Sequence, residues 1–116
     1  MWNEPTQEQL KRIIPVRLYD SEFVSLRDKV IYAHLFLGDN DWYLCEYDGE
    51  DLFFGFCILG NCGAEWGYVS LNELKNIKVA GWLEVDFDLY FEPKSAKEIS
   101  KIRRAHRWAI EGECYV

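Results

Sequence analysis

The segment Asp41–Ser70, DWYLCEYDGEDLFFGFCILGNCGAEWGYVS, constrains the fold more than any other. It holds three apolar, aromatic-rich runs separated by turn residues. Asp48-Gly49 between two such runs is a hairpin signal, and Gly60-Asn61-Cys62-Gly63 supplies the next turn. Strands are therefore predicted over 42–47, 52–59 and 64–69. With Asp48–Asp51 as the loop, Tyr47 faces Leu52. Tyr43, Cys45, Tyr47, Leu52, Phe54 and Phe56 then share one face, and Trp42, Leu44, Phe53 and Cys57 the other. In that register Cys45 faces Phe54 rather than Cys57, which argues against a disulfide. Gly55 inside a strand signals a bulge or a close approach.

The flanking sequence adds helices and two more strands. Thr6 and Gln9 have capping-box spacing after Pro5; Leu10, Ile13 and Ile14 form a short apolar stripe, and Pro15 ends it. Residues 16–29 read as a polar connector anchored by Leu18, Tyr19, Phe23 and Leu26. Residues 30–37 are apolar throughout, which predicts a central strand covered on both faces. His34 within it reads as a hydrogen-bonded core residue, because the sequence places no partner that would make it a general base. Ser70 and Glu73 predict a helix to about Ile77. Gly81 then releases a fifth strand over 82–91, with Glu84, Asp86 and Asp88 on one face and Val85, Phe87 and Leu89 on the other. Ser95 and Glu98 open a last helix running to about Ala109. Its Ile99, Ile102 and His106 face one side; Lys97, Lys101, Arg104 and Arg107 cover most of the rest. The expected fold is a single α+β domain, 1–116: an antiparallel meander sheet of about five strands flanked by two or three helices.

Composition bounds the function. A hydrophobic fraction of 49% excludes disorder of the whole chain. No apolar run approaches the roughly 18 residues of a membrane span, and the start MWNEPTQEQLKR lacks a secretory pattern, so a cytoplasmic location is expected. Residues 1–92 carry 17 acidic and 7 basic side chains, whereas residues 93–116 carry 3 and 6. Such a body repels nucleic acid and suits a basic protein partner. Cys45, Cys57, Cys62 and Cys114 form no CxxC pair and lie far from His34 and His106, so neither a metal nor a cofactor is expected.

DWYLCEYDGEDLFFGF, AEWGYVSLNEL and VDFDLYFEPKSAKEI resemble, in order and spacing, the bacterial family catalogued as domain of unknown function 2958. The resemblance runs from about Thr6 to Ile99 and rests on structural rather than catalytic motifs. It implies an accessory role on plasmids, phages and integrative elements. Two departures stand out. WLEVD at 82–86 replaces a segment commonly like L-x-I-E-R, putting Asp86 where a basic residue is usual, and Ser100–Val116 reads as an extension beyond the shared region.

Three functional readings compete for the carboxylates. The preferred one is mimicry of nucleic acid, with no catalytic residue. Asp39, Asp41, Glu46, Asp48, Glu50, Asp51, Glu84, Asp86 and Asp88 would be the partner-binding set. The spacing of about 6.5–7 Å along the last strand resembles the repeat of phosphates. The partner would be a basic protein, such as a host nucleic-acid-binding defence enzyme of the CRISPR or restriction type, with no direct contact to nucleic acid or membrane. The alternative is an interaction module or homodimer using an aromatic patch, with Trp42, Trp66 and Trp82 as anchors. The second alternative is a Mg²⁺-dependent hydrolase, disfavoured by the mobile hairpin tip and the shortage of cations to hold phosphate.

Overall fold

The structure, a computed structural model, describes residues 1–106. Helix α1 (Gln7–Ile13) opens with the expected capping box: the Gln9 N–H donates to Thr6 Oγ1 at 3.1 Å and the Thr6 N–H to Gln9 Oε1 at 2.8 Å. A connector with one 3₁₀ turn, Leu26–Asp28, leads to β1 (Val30–Ile31) and β2 (Ala33–Leu37). Then follow β3 (Asn40–Tyr47), β4 (Leu52–Leu59), β5 (Ala64–Ser70), α2 (Leu71–Lys75), β6 (Lys78–Val79), β7 (Leu83–Glu84), β8 (Asp86–Phe87) and β9 (Lys94–Ser95). A second 3₁₀ turn, Ala96–Glu98, precedes α3 (Ser100–His106). The expected α+β architecture holds. Five antiparallel strands are ordered β5-β4-β3-β2-β8, a four-strand meander with β8 added at the far edge.

The sheet separates two apolar clusters. Leu35, Trp42, Leu44, Phe53, Val85 and Phe87 lie on one side with Leu10, Ile14, Leu71 and Leu74 from α1, its C-terminal boundary and α2. Tyr43, Cys45 and Phe56 lie on the other, covered by Ile99 and Ile102. Burying side chains such as Phe53 and Phe56 contributes about 1.5–3 kcal/mol each. β3 is the strand buried on both faces.

Local geometry explains where the sequence expectations shift. A bulge interrupts the β3–β4 register between Leu44 and Glu46, so Tyr47 pairs with Phe53 rather than Leu52. Tyr47 thereby joins the cluster of Trp42, Leu44 and Phe53, on the face opposite to the expected one. Cys45 is the extra residue of the bulge: Phe54 pairs with Glu46, not with Cys45 as expected, although the Cys45 Sγ still donates to the Phe54 carbonyl at 3.3 Å. Gly55 marks this bulge, since a Cβ there would stand 2.1 Å from the Tyr43 carbonyl oxygen.

The strand expected over 30–37 changes partner at Tyr32. β1 pairs with β9, while β2 lies between β3 and β8. The strand expected over 82–91 breaks for a similar reason: Glu84 pairs with Lys78 in a separate hairpin, and Asp86 pairs with Phe36. Asp88 ends the run by accepting the Tyr90 N–H at 3.0 Å. Helix α2 stops at Lys75, two residues short of the expected end. Tyr19, Phe23 and Leu26 are exposed, not anchors; Phe23 is 88% exposed. The end of the last predicted helix, with Arg107 and Ala109, lies outside the described residues, as does Cys114.

Candidate interaction surface

The structure does not present the carboxylates as an outward row. Asp41 and Glu46 are each only 3% exposed. Asp41 Oδ1 lies 2.7 Å from His34 Nε2, and its Oδ2 accepts from Lys101 Nζ at 2.8 Å. Asp88 Oδ2 lies 3.0 Å from His34 Nδ1. Both ring nitrogens donate only when each carries a proton; in that state His34, Lys101, Asp41 and Asp88 balance two positive charges against two negative ones. Tyr43 stacks on His34 with 4.5 Å between ring centres, and burial pushes its hydroxyl up to about 12, with Asp41 and Asp88 adding to the effect. Helix α3 is thus fastened to the sheet through Lys101, as well as through Ile99 and Ile102.

Glu46 anchors the polar connector from below. Its carboxylate accepts from the Tyr19 N–H at 2.9 Å and from the Ser21 hydroxyl, and Lys29 Nζ stands 3.7 Å away. Lys29 also donates to the Ser21 hydroxyl at 2.9 Å and to the Ser21 carbonyl. This Ser–Lys–Glu set resembles a nucleophile with its base, but its bonds hold a loop: the lysine donates to both Ser21 oxygens, and the hydroxyl proton goes to Glu46.

The other carboxylates close turns and termini. Despite the burial that pushes it up, the Asp48 carboxyl sits below its ordinary range because the N–H groups of Glu50, Asp51 and Leu52 donate to it. Asp51 accepts from the Ser70 hydroxyl at 2.6 Å and the Asn72 N–H at 2.8 Å, so it caps α2 together with Ser70. Glu84 binds the N-terminal amine at 2.9 Å, and that hydrogen bond holds its carboxyl below the ordinary value. Asp86 accepts from Asn3 Nδ2 at 2.8 Å. Of the nine residues, Asp39 and Glu50 are the exposed ones whose side chains have no partner among the described residues.

Burial pushes the Cys45 thiol up to about 12, with Glu46 adding to it, and the Cys57 thiol up to about 11, with Glu65 adding to it. Both thiols are therefore protonated and weakly nucleophilic at neutral pH.

The feature left open is an edge. β5 is the outermost strand on its side, and among the described residues nothing pairs with its outer edge. The bonds closing the two ends of its ladder, Leu59 N–H to Gly63 and Leu71 N–H to Asp51, both join odd-numbered residues. By antiparallel alternation, Glu65, Gly67 and Val69 bond to β4, while the N–H and C=O groups of Ala64, Trp66 and Tyr68 point outward. On one face of this edge Phe54 packs with Trp66 and Tyr68 at 5.8 and 5.2 Å, and Tyr19 reaches Tyr68 at 6.1 Å. Tyr68 stays 53% exposed. On the other face a cleft of about 570 Å³ runs between β5 and α2.

The sequence model of a protein family described as being of unknown function, DUF2958, matches residues 7–109. The chain belongs to the DUF2958 family. The match extends past Ile99 through α3 to residue 109, so residues 100–109 belong to the shared region and not, as expected, to an extension; residues 110–116 lie outside the match. No curated protein and no solved structure matches this DUF2958 chain. No helix among the described residues is long and apolar enough to cross a membrane.

Sequence reasoning missed Lys29, Lys101 and the two partners of His34. Asp41 at a strand start and Asp88 fifty-four positions from His34 carried no local signal of that pairing. Of the expected aromatic anchors, Trp42 is buried, Trp82 is 65% exposed, and Trp66 donates its Nε1–H to His106 Nε2 at 2.8 Å.

Proposed function

We propose that this DUF2958 protein is a non-catalytic binding module that takes an extended segment of a partner protein onto the free edge of β5. The observation that carries this reading is the edge itself, uncovered among the described residues, with the backbone groups of Ala64, Trp66 and Tyr68 directed outward beside an exposed aromatic face. Strand addition gains affinity from main-chain hydrogen bonds and specificity from alternating side-chain sites. Three facts support a non-catalytic role: the high thiol values, the Ser21 bonds already used in holding the connector, and the engagement of seven of the nine acidic candidates within the fold. An accessory role on a mobile element, blocking a host defence protein, is compatible with such binding. Phosphate mimicry is the weaker form of that role, since it is left with Asp39 and Glu50.

The test is selection of linear peptides from a displayed library, followed by mapping the bound peptide through amide chemical shifts. Shifts concentrated at Ala64, Trp66 and Tyr68 are expected. Tyr68→Pro removes an outward donor without costing a β4 bond, so it should abolish binding, whereas Tyr68→Ala should retain most of it. Binding that survives Tyr68→Pro contradicts the reading.

A further inference from the structure

We infer that the segment taken up by β5 is basic, with a lysine or arginine side chain lying in the cleft between β5 and α2. The inference rests on the edge reading above and adds the chemistry of the occupant. A strand added outside β5 lies about 4.8 Å from it and alternates its side chains between the two faces. On the cleft face, Gly67 sits between Glu65 and Val69, and a Cβ built on Gly67 meets nothing within 4 Å. Its backbone is not in the left-handed region, so neither conformation nor crowding demands glycine there. What it leaves is a notch in the cleft wall beside the free edge.

The cleft that the notch opens into has a largely apolar lining and two carboxylates. Val69, Leu74 and Ile77 line it, while Glu65 on β5 and Glu73 on α2 are its charged lining residues. Both carboxylates are exposed and unpaired among the described residues. Only half of the expected capping box forms: Ser70 Oγ accepts the Glu73 N–H at 3.3 Å, but the Glu73 carboxylate does not return to the Ser70 N–H, and Asp51 accepts the Asn72 N–H at 2.8 Å. A lysine or arginine fits this arrangement. Its methylene stem covers apolar wall while its head reaches the carboxylates. The opposite-parity positions of the segment would meet Trp66 and Tyr68, favouring apolar or aromatic residues. A second copy fits less well, because each copy carries a net charge of -7 and a β5–β5 pairing brings the acidic cleft rims together.

The peptides selected above decide the matter. Lysine or arginine should be enriched at one parity and apolar residues at the other. The double variant Glu65→Gln/Glu73→Gln should weaken the selected peptide about fivefold to tenfold, and raised salt should do the same. Peptides that bind the edge, fail on Tyr68→Pro, but show no cation preference and ignore the double variant overturn the basic occupant while leaving the edge reading intact. Peptides indifferent to Tyr68→Pro overturn both. Concentration-dependent dimerisation abolished by Tyr68→Pro assigns the edge to a second copy and overturns the inference.

Discussion

Along β8 the outer edge of the five-stranded sheet is covered by the chain's own first residues. Trp2 donates to the Val85 carbonyl at 3.0 Å, the Phe87 N–H returns to the Trp2 carbonyl at 3.1 Å, and Glu84 and Asp86 hold Met1 and Asn3. Along β5, at the opposite end of the same sheet, no such cover exists among the described residues. An open edge invites pairing with another chain, and proteins commonly blunt it with proline, lysine or a bulge. β5, AEWGYVS, contains none of the three. The contrast assigns different work to the acidic residues. Glu84 on β7 and Asp86 on β8 hold the segment that seals one edge, while Glu65 and Glu73 are unpaired among the described residues beside the other.

The largest expected effect comes from the support beneath the open edge. Glu46→Ala leaves Lys29 buried without its counter-ion and should lower stability by about 3–5 kcal/mol in a denaturant titration. Glu46→Gln, which keeps an acceptor for the Tyr19 N–H, should lose less. Gly55→Ala acts on the strands between the two edges. It drives a Cβ onto the Tyr43 carbonyl and should cost about 3 kcal/mol by the same measurement. A full-strength Gly55→Ala fold would mean that the bulge at Cys45 is not fixed by that contact.

Unsealing the closed edge should be a smaller, local event. Trp2→Pro removes the donor to Val85 and should cost about 1 kcal/mol. It should also speed amide exchange at Phe87 relative to Trp2→Ala, which keeps the donor. Smallest is the response to acid, where the edges should loosen in a fixed order. Burial lowers the His106 value from 6.5, and its neutral ring accepts the Trp66 indole proton. The stability from this contact is present above 6.5 and is lost as pH falls below that value toward the depressed one. The Glu84 contact to the N-terminal amine is likewise present above 4.5 and lost only at lower pH. Following the Trp66 indole and Phe87 amide resonances through an acid titration checks the order; simultaneous loosening would contradict it.

The core was legible because local signals agree there. Asp48-Gly49 between its two strands, Thr6–Gln9 and Ser95–Glu98 each act over a few residues and appear in the structure, although Ser95 and Glu98 cap the 3₁₀ turn Ala96–Glu98 and α3 begins only at Ser100. The bulge was visible only as Gly55, and its consequence for Tyr47 could not be read, since an extra residue at Cys45 changes the face of everything beyond it. The acidic row failed as an expectation because alternation alone cannot show that Glu84 and Asp86 belong to different sheets. It cannot show either that the first three residues return to cover them. The His34 and Lys29 sets were hidden for the same reason: their partners meet through the tertiary fold.

Amide hydrogen exchange along β5 tests the open edge most directly. The Trp66 and Tyr68 amides should exchange at least about tenfold faster than those of Gly67 and Val69, which bond to β4, and faster than that of Phe87 at the sealed edge. Protection of Trp66 and Tyr68 equal to that of Gly67 would show the edge already covered and would contradict the account.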